Sequence, residues 1–159
     1  MASGDHRPKA PTLDGSALRI GVVSSRWNAD IIDRLLEGVD RGLNAAGVTQ
    51  ITRETVPGAF ELPLAALMLA RSTTVDGIVA IGTVIRGETT HYELVAEECG
   101  RGLMDVQLTT QIPVGLGILT VENHDQAVAR SEAAGGHNVG EEAALVAVEL
   151  ALLAARYER

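Results

Sequence analysis

From Leu18 to Val121 the chain alternates short apolar runs, rich in β-branched residues, with longer stretches of helical period. That alternation predicts βαβ units, and hence strands paired in parallel with helices on both faces of one sheet. The runs are "LRIGVVSS" (18–25), "QITRETV" (50–56), "DGIVAIGTVI" (76–85) and "PVGLGILTV" (113–121). The third has the pattern of a fully buried strand, and two glycines in the fourth imply a backbone lying close to another element. After the first run a helix starts near Asn28, a candidate N-cap, with Asp30 in its first turn. Ile31, Ile32, Leu35, Leu36, Val39 and Leu43 then repeat at helical spacing, and Gly47 stops it. "PGAFELP" follows the second run, and Pro63, tolerated in a first turn, opens a short helix through Arg71. Thr90 and Glu93 have the spacing of a capping box, so a helix is expected to start at Thr90 with "HYELVAEECGRGLMDVQL" as its body. Beyond Asn123, "HDQAVAR" forms a short helix and "SEAAGGHNVG" breaks it. "EEAALVAVELALLAARYE" forms a long last helix, apolar on more than one face. One of those faces meets the sheet, and another is available to a neighbouring subunit.

With aromatic residues at 3% against 46% hydrophobic overall, the core has to be built from Ala, Val, Leu and Ile, which suits an α/β domain. The length fits one domain, 17–159, after a loose N-terminal arm over 1–16. A formal net charge of −8 argues against nucleic acid or an acidic membrane as partner, because a phosphate backbone demands a positive footprint. No apolar run reaches the roughly 18 residues of a membrane span, and the first residues lack a signal peptide's apolar stretch, so a soluble cytoplasmic protein is expected. Cys99 is the single cysteine and reads as a small buried residue. His6, His91, His124 and His137 are scattered without Cys or carboxylates at ligand spacing, so no metal site is expected. Glycine-rich dinucleotide and nucleotide loops and a nucleophile elbow are all absent.

In a parallel sheet every carboxyl end points the same way, and ligands bind at that edge. Four junctions meet there: "SSRWN", "PGAFE", "RGETTH" and "TVEN". The third sets a glycine turn before a helix start, where free backbone N–H groups and the helix dipole suit an anion such as phosphate. Glu88 is awkward for that task and has to point away, or else only its backbone and Thr89 serve. His91, in the first helical turn, stands where the dipole favours a neutral imidazole able to move protons near pH 7. A solvated first-turn histidine is the plainer alternative. Trp27, the single tryptophan, is a stacking platform for a flat heterocycle or else a core ring. Glu61 accepts hydrogen bonds from a ligand or caps the helix that follows. Arg130 clamps a phosphate or makes an ordinary surface ion pair. The residues by themselves thus point to a phosphate-bearing small molecule with a flat ring, handled by proton transfer.

"PGAFELP", "GTVIRGETTHYELV" and "GILTVENHDQAVAR", in that order and at these separations, closely resemble the lumazine synthase family over about residues 17–158. The resemblance implies a flavodoxin-like three-layer α/β sandwich on a four-stranded parallel sheet. It implies a transferase of riboflavin biosynthesis that condenses 5-amino-6-(D-ribitylamino)uracil with 3,4-dihydroxy-2-butanone 4-phosphate. The products are 6,7-dimethyl-8-ribityllumazine, phosphate and two waters, and no cofactor or metal takes part. Carried across by position, Trp27 stacks on the ring, Ala59, Phe60 and Glu61 bind the ribityl chain, and Thr83, Val84 and Ile85 read the pyrimidine edge. Glu88 and Thr89 fall at the butanone phosphate, with Arg130 as its charge partner, and His91 matches the acid-base residue. Sites of this family lie between subunits, so Leu116 and Arg130 would come from the neighbour. Position 116 is Leu where many relatives carry Phe, and "GGHNVG" replaces a lysine-bearing stretch, with Val139 in the lysine's place and His137 as a substitute donor. The family forms pentamers, some packed into shells of sixty. A segment from Ser131 to Gly140 about one residue longer than in the shell builders favours a free homopentamer here. Two other readings stay open at this point: a relative that holds riboflavin or lumazine without catalysis, and a flavodoxin-like FMN or signalling domain, for which "SSRWN" is a poor phosphate loop.

Overall fold

The computed structural model describes Lys9 and residues 11–158. Most of the expected N-terminal arm, residues 1–8 and 10, lies outside the described residues, as does Arg159. Four strands, β1 (Arg19–Ser25), β2 (Gln50–Val56), β3 (Gly77–Ile85) and β4 (Val114–Val121), form one sheet in the order β2-β1-β3-β4, with every pairing parallel. The helices are α1 (Ala29–Ala45), α2 (Leu62–Arg71), α3 (His91–Thr110), α4 (His124–Val128) and α5 (Val139–Arg156), and a single 3-10 turn spans Ala59–Glu61. The arrangement is the expected three-layer α/β sandwich.

Side-chain alternation along the strands splits the core in two. Ile20 and Val22 of β1, Val79 and Ile81 of β3, and Leu119 and Val121 of β4 face one layer with α1, α4 and α5. Val23, Ile78, Ala80 and Val114 face the other, against α2 and α3. On the first face, buried Gly140, Ala143, Ala144, Ala147 and Ala151 bring α5 very close to the sheet and to α1. A Cβ on Gly115 would stand 2.0 Å from the Ala143 carbonyl oxygen, so the close approach expected from the glycines of β4 is the seat of α5. β2 is an edge strand and buries little; its Arg53 pairs with Asp40 of α1. No helix among the described residues is long and apolar enough to cross a membrane.

Helix starts depart from expectation in three places. Asn28 precedes α1 with a left-handed backbone (φ 60°), and its side chain does not cap the helix. Its Nδ2 instead donates to the Thr83 carbonyl oxygen at 3.2 Å, tying the end of β1 to the end of β3. The capping box at Thr90 and Glu93 does not form, because Glu93 turns to Arg86. Thr89 takes over part of that task, its Oγ1 accepting from the His91 N–H at 3.3 Å. α5 starts at Val139 rather than at the glutamates, because Asn138 Oδ1 accepts from the Glu141 N–H at 3.1 Å and makes a better N-cap.

Candidate active site

The strand order places β1 between β2 and β3, so the chain leaves β1 towards one side and later returns on the other. The crevice at such a reversal, beyond the carboxyl ends of the strands, is where open α/β sheets bind ligands. Here it is a groove of about 510 Å³. Trp27 and Asn28 come from the loop after β1, Gly58 to Glu61 from the turn after β2, Thr83 to Ile85 from the end of β3, and His91, Leu94 and Val95 from α3. A second cavity, about 660 Å³, opens at the amino edge. Its Asp76 is committed to Arg19, whose Nη2 is 3.0 Å from Oδ1 and whose Nε and backbone N–H both reach Oδ2.

Two plain alternatives from the sequence are ruled out by the geometry. Trp27 is not a core ring, since it is 72% exposed at the groove wall, and Phe60 is 56% exposed nearby. Glu61 makes no side-chain cap for α2 although it stands directly before it. Gly58 closes this corner: a Cβ there would lie 3.3 Å from Trp27 Cδ1 and 3.4 Å from a Glu61 carboxylate oxygen. The hydroxyls of Thr83, a lining residue, and of Ser25, at the end of β1, are both buried without a hydrogen-bond partner. A buried hydroxyl without a partner costs roughly 1–3 kcal/mol.

The groove thus gathers Trp27, Ala59, Phe60, Glu61, Thr83, Val84, Ile85 and His91 in one place. Glu88 and Thr89 do not line it; they sit in the exposed turn leading directly into His91. Leu116 and Arg130 are not brought to it. Leu116 is 55% exposed on β4, the far edge strand. Arg130, expected late in the fourth helix, lies just past the end of α4, which is only five residues long. Its Nη1 donates to the Gln126 carbonyl oxygen at 2.9 Å. His137 stands in the turn before α5, 3.3 Å from a Glu142 carboxylate oxygen and away from the groove. Among the described residues, no three His, Cys, Asp or Glu side chains come together as a metal cradle.

Sequence reasoning missed several groups. Asn28 reads in the sequence as a cap, and Leu94 and Val95 carry no signal beyond helical period. Arg86 carries no signal of its own within "RGETTH", yet it pairs with both Glu93 and Glu122, the latter at 2.7 Å, and lies 4.2 Å from the centroid of the Tyr92 ring. The Arg86 guanidinium holds the Glu93 carboxyl below its ordinary range, mainly through their hydrogen bond. An arginine in a turn announces none of this, because its partners are set by where β4 ends and α3 begins.

The sequence profile of the 6,7-dimethyl-8-ribityllumazine synthase family matches residues 17–155. A protein of that name from Kineococcus radiotolerans is 48% identical over 148 residues, which cover 92% of this chain and 91% of the relative. One from Methylobacillus flagellatus is 48% identical over 140 residues, covering 87% and 91%, and one from Paraburkholderia phytofirmans is 45% identical over 151, covering 94% and 87%. Matches at this identity along nearly the whole of both chains leave one family for the groove and its motifs: the chain belongs to the 6,7-dimethyl-8-ribityllumazine synthases.

Proposed function

We propose that this chain condenses 5-amino-6-(D-ribitylamino)uracil with 3,4-dihydroxy-2-butanone 4-phosphate in riboflavin biosynthesis, acting as a cytoplasmic homopentamer. The observation that carries the site assignment is the convergence of Trp27, the Ala59–Glu61 turn, the end of β3 and His91 on one groove at the sheet's switch point. Trp27 offers a ring face for the pyrimidine, and the backbone of Thr83, Val84 and Ile85 meets its polar edge. Phe60 and Glu61 receive the ribityl chain, with the carboxylate accepting from its hydroxyls. The turn at Glu88 and Thr89 holds the phosphate at the start of α3, where N–H groups and the dipole favour an anion. Glu88 serves there through its backbone.

The pyrimidine's amino group attacks the ketone, water leaves to give an imine, phosphate is eliminated, and ring closure expels the second water. Each step moves protons, and none needs a protein nucleophile. His91 is placed to carry those protons, worth roughly 10²- to 10⁴-fold. Holding the two substrates together supplies the larger share, up to about 7 to 11 kcal/mol in favourable cases.

The assembly reading rests on what one chain leaves undone. Leu64 and Met68 of α2, Leu94, Met104 and Leu108 of α3, and Leu116 of β4 are all more than half exposed. A neighbour covering them would bring its own Leu116 and Arg130 to the groove and complete the phosphate site. Mixing purified protein with both substrates and following lumazine absorbance against the uncatalysed background tests the function. Saturable acceleration that vanishes when either substrate is omitted is expected. A folded protein that binds the lumazine without accelerating its formation would instead be a binding protein.

A further inference from the structure

We propose that Arg86 is a positioning residue for the phosphate end of this groove, clamping the Gly87–Thr90 turn to the end of β4 and to the first turn of α3. The inference rests on the lumazine synthase reading of the groove. Arg86 is the first residue after β3, and its backbone N–H donates to the Val121 carbonyl oxygen at 2.9 Å. That bond extends the β3–β4 ladder one step past Ile85 and fixes where the side chain departs. Its Nε then donates to Glu122 Oε2 at 2.7 Å, its Nη1 pairs with Glu93, and its guanidinium lies over the Tyr92 ring at 4.2 Å from the centroid. One side chain therefore joins the residue after β4 to two consecutive residues of α3, on either side of the turn that leads to His91.

The turn has little else to hold it. All of Gly87 to Thr90 is exposed, and a Cβ on Gly87 would meet nothing within 4 Å. Two local bonds tie down its far end: the His91 N–H donates to Thr89 Oγ1 at 3.3 Å and the Leu94 N–H to the Thr90 carbonyl oxygen at 3.4 Å. Electrostatics point the same way. Glu88, Glu93 and Glu122 all surround the approach of an anion, and Arg86 engages two of the three. Without the guanidinium those two carboxylates would confront the phosphate unopposed. The clamp also continues outward: the Glu122 N–H donates to Gln126 Oε1 at 2.8 Å, and the Gln126 carbonyl accepts from Arg130. The turn that precedes His91 and the arginine offered to a neighbouring site thus share one chain of hydrogen bonds.

The test compares Arg86→Met and Arg86→Lys with the unchanged full-length protein by amide hydrogen exchange and steady-state kinetics. In Arg86→Met, exchange over residues 87–93 should quicken about tenfold while that over 58–62 stays put, the loss of a charge-assisted, doubly paired arginine being of that order. The KM for the butanone phosphate should rise about tenfold with the pyrimidine KM held within about twofold, and Arg86→Lys should recover part of the difference. Unchanged exchange over 87–93, or an equal rise in both KM values, would overturn the clamp. Should the unchanged protein fail to catalyse the condensation, the functional reading falls while the exchange data still decide the clamp.

Discussion

The two faces of the sheet are finished to different degrees. Against α1 and α5 the packing is backbone-tight, with alanine and glycine at nearly every contact of α5. Against α2 and α3 the inner side is equally buried, with Leu62, Cys99 and Leu103 closed off from solvent. The outer sides of those helices, however, leave Met68 and Leu108 more than 60% exposed. A face of small residues can be completed only by its own chain, because nothing else fits so close. A face that ends in long, flexible apolar side chains is built to meet something that arrives later. The candidate site follows the same division: Trp27, the Ala59–Glu61 turn, the end of β3 and His91 share one groove, while Leu116 and Arg130 stand apart from it.

The contrast can be broken most violently on the tight face. Gly115→Val should cost about 3 kcal/mol or more, because its Cβ would collide with the Ala143 backbone and α5 cannot retreat without leaving the sheet. Urea unfolding measures it, and a loss below about 1 kcal/mol would mean that α5 is not seated as described. On the loose face, Met68→Glu with Leu108→Glu should leave the circular dichroism of the folded chain intact but reduce the mass seen by light scattering to a single chain. An unchanged mass would remove α2 and α3 from the interface.

The division of the site is sharpened by complementation. His91→Ala should lower kcat about 10²-fold without abolishing turnover, and Arg130→Ala should raise the butanone phosphate KM strongly. Co-refolded in equal amounts, the two variants should regain about a quarter of wild-type activity, since random neighbours then pair an intact His91 with an intact Arg130 that often. No recovery would place both residues in one chain's site.

The smallest effect lies at the amino edge, away from the chemistry. The hydrogen bond from Arg19 holds the Asp76 carboxyl below its usual range. A lowered folded value means that the pair stabilises the fold above the unfolded carboxyl's pKa of about 4, and that the gain disappears as pH falls through the folded value. Asp76→Asn should therefore cost about 1 kcal/mol at neutral pH and converge with wild type in acid, with activity per folded molecule unaltered. Burial pushes the Cys99 thiol to about 11, so a thiol reagent at pH 8 should label it only on unfolding.

Much of this was legible in the residues themselves. Period-two and helical patterns placed all four strands and all five helices, because which side of an element is buried is written locally, residue by residue. Trp27, the Ala59–Glu61 turn and His91 were visible because glycine turns, a lone aromatic and a helix start are local signals too. Partner choice was not. Glu93 lies at capping distance from Thr90 in sequence, yet an arginine seven residues before it takes the carboxylate. Asn28 had every mark of a cap, yet it bonds across 55 residues to Thr83.

By itself, then, the sequence determined the order of elements, the composition of the core and the chemical character of the junctions. The tertiary structure alone decided that β3 pairs beside β1, which opens the groove between Trp27 and the Thr83–Ile85 strand end, and that Arg86 meets Glu93 and Glu122 together. The reason is physical: local patterns say what must be buried or turned, whereas hydrogen-bond and charge partners are settled by competition among groups that only the folded chain brings within reach.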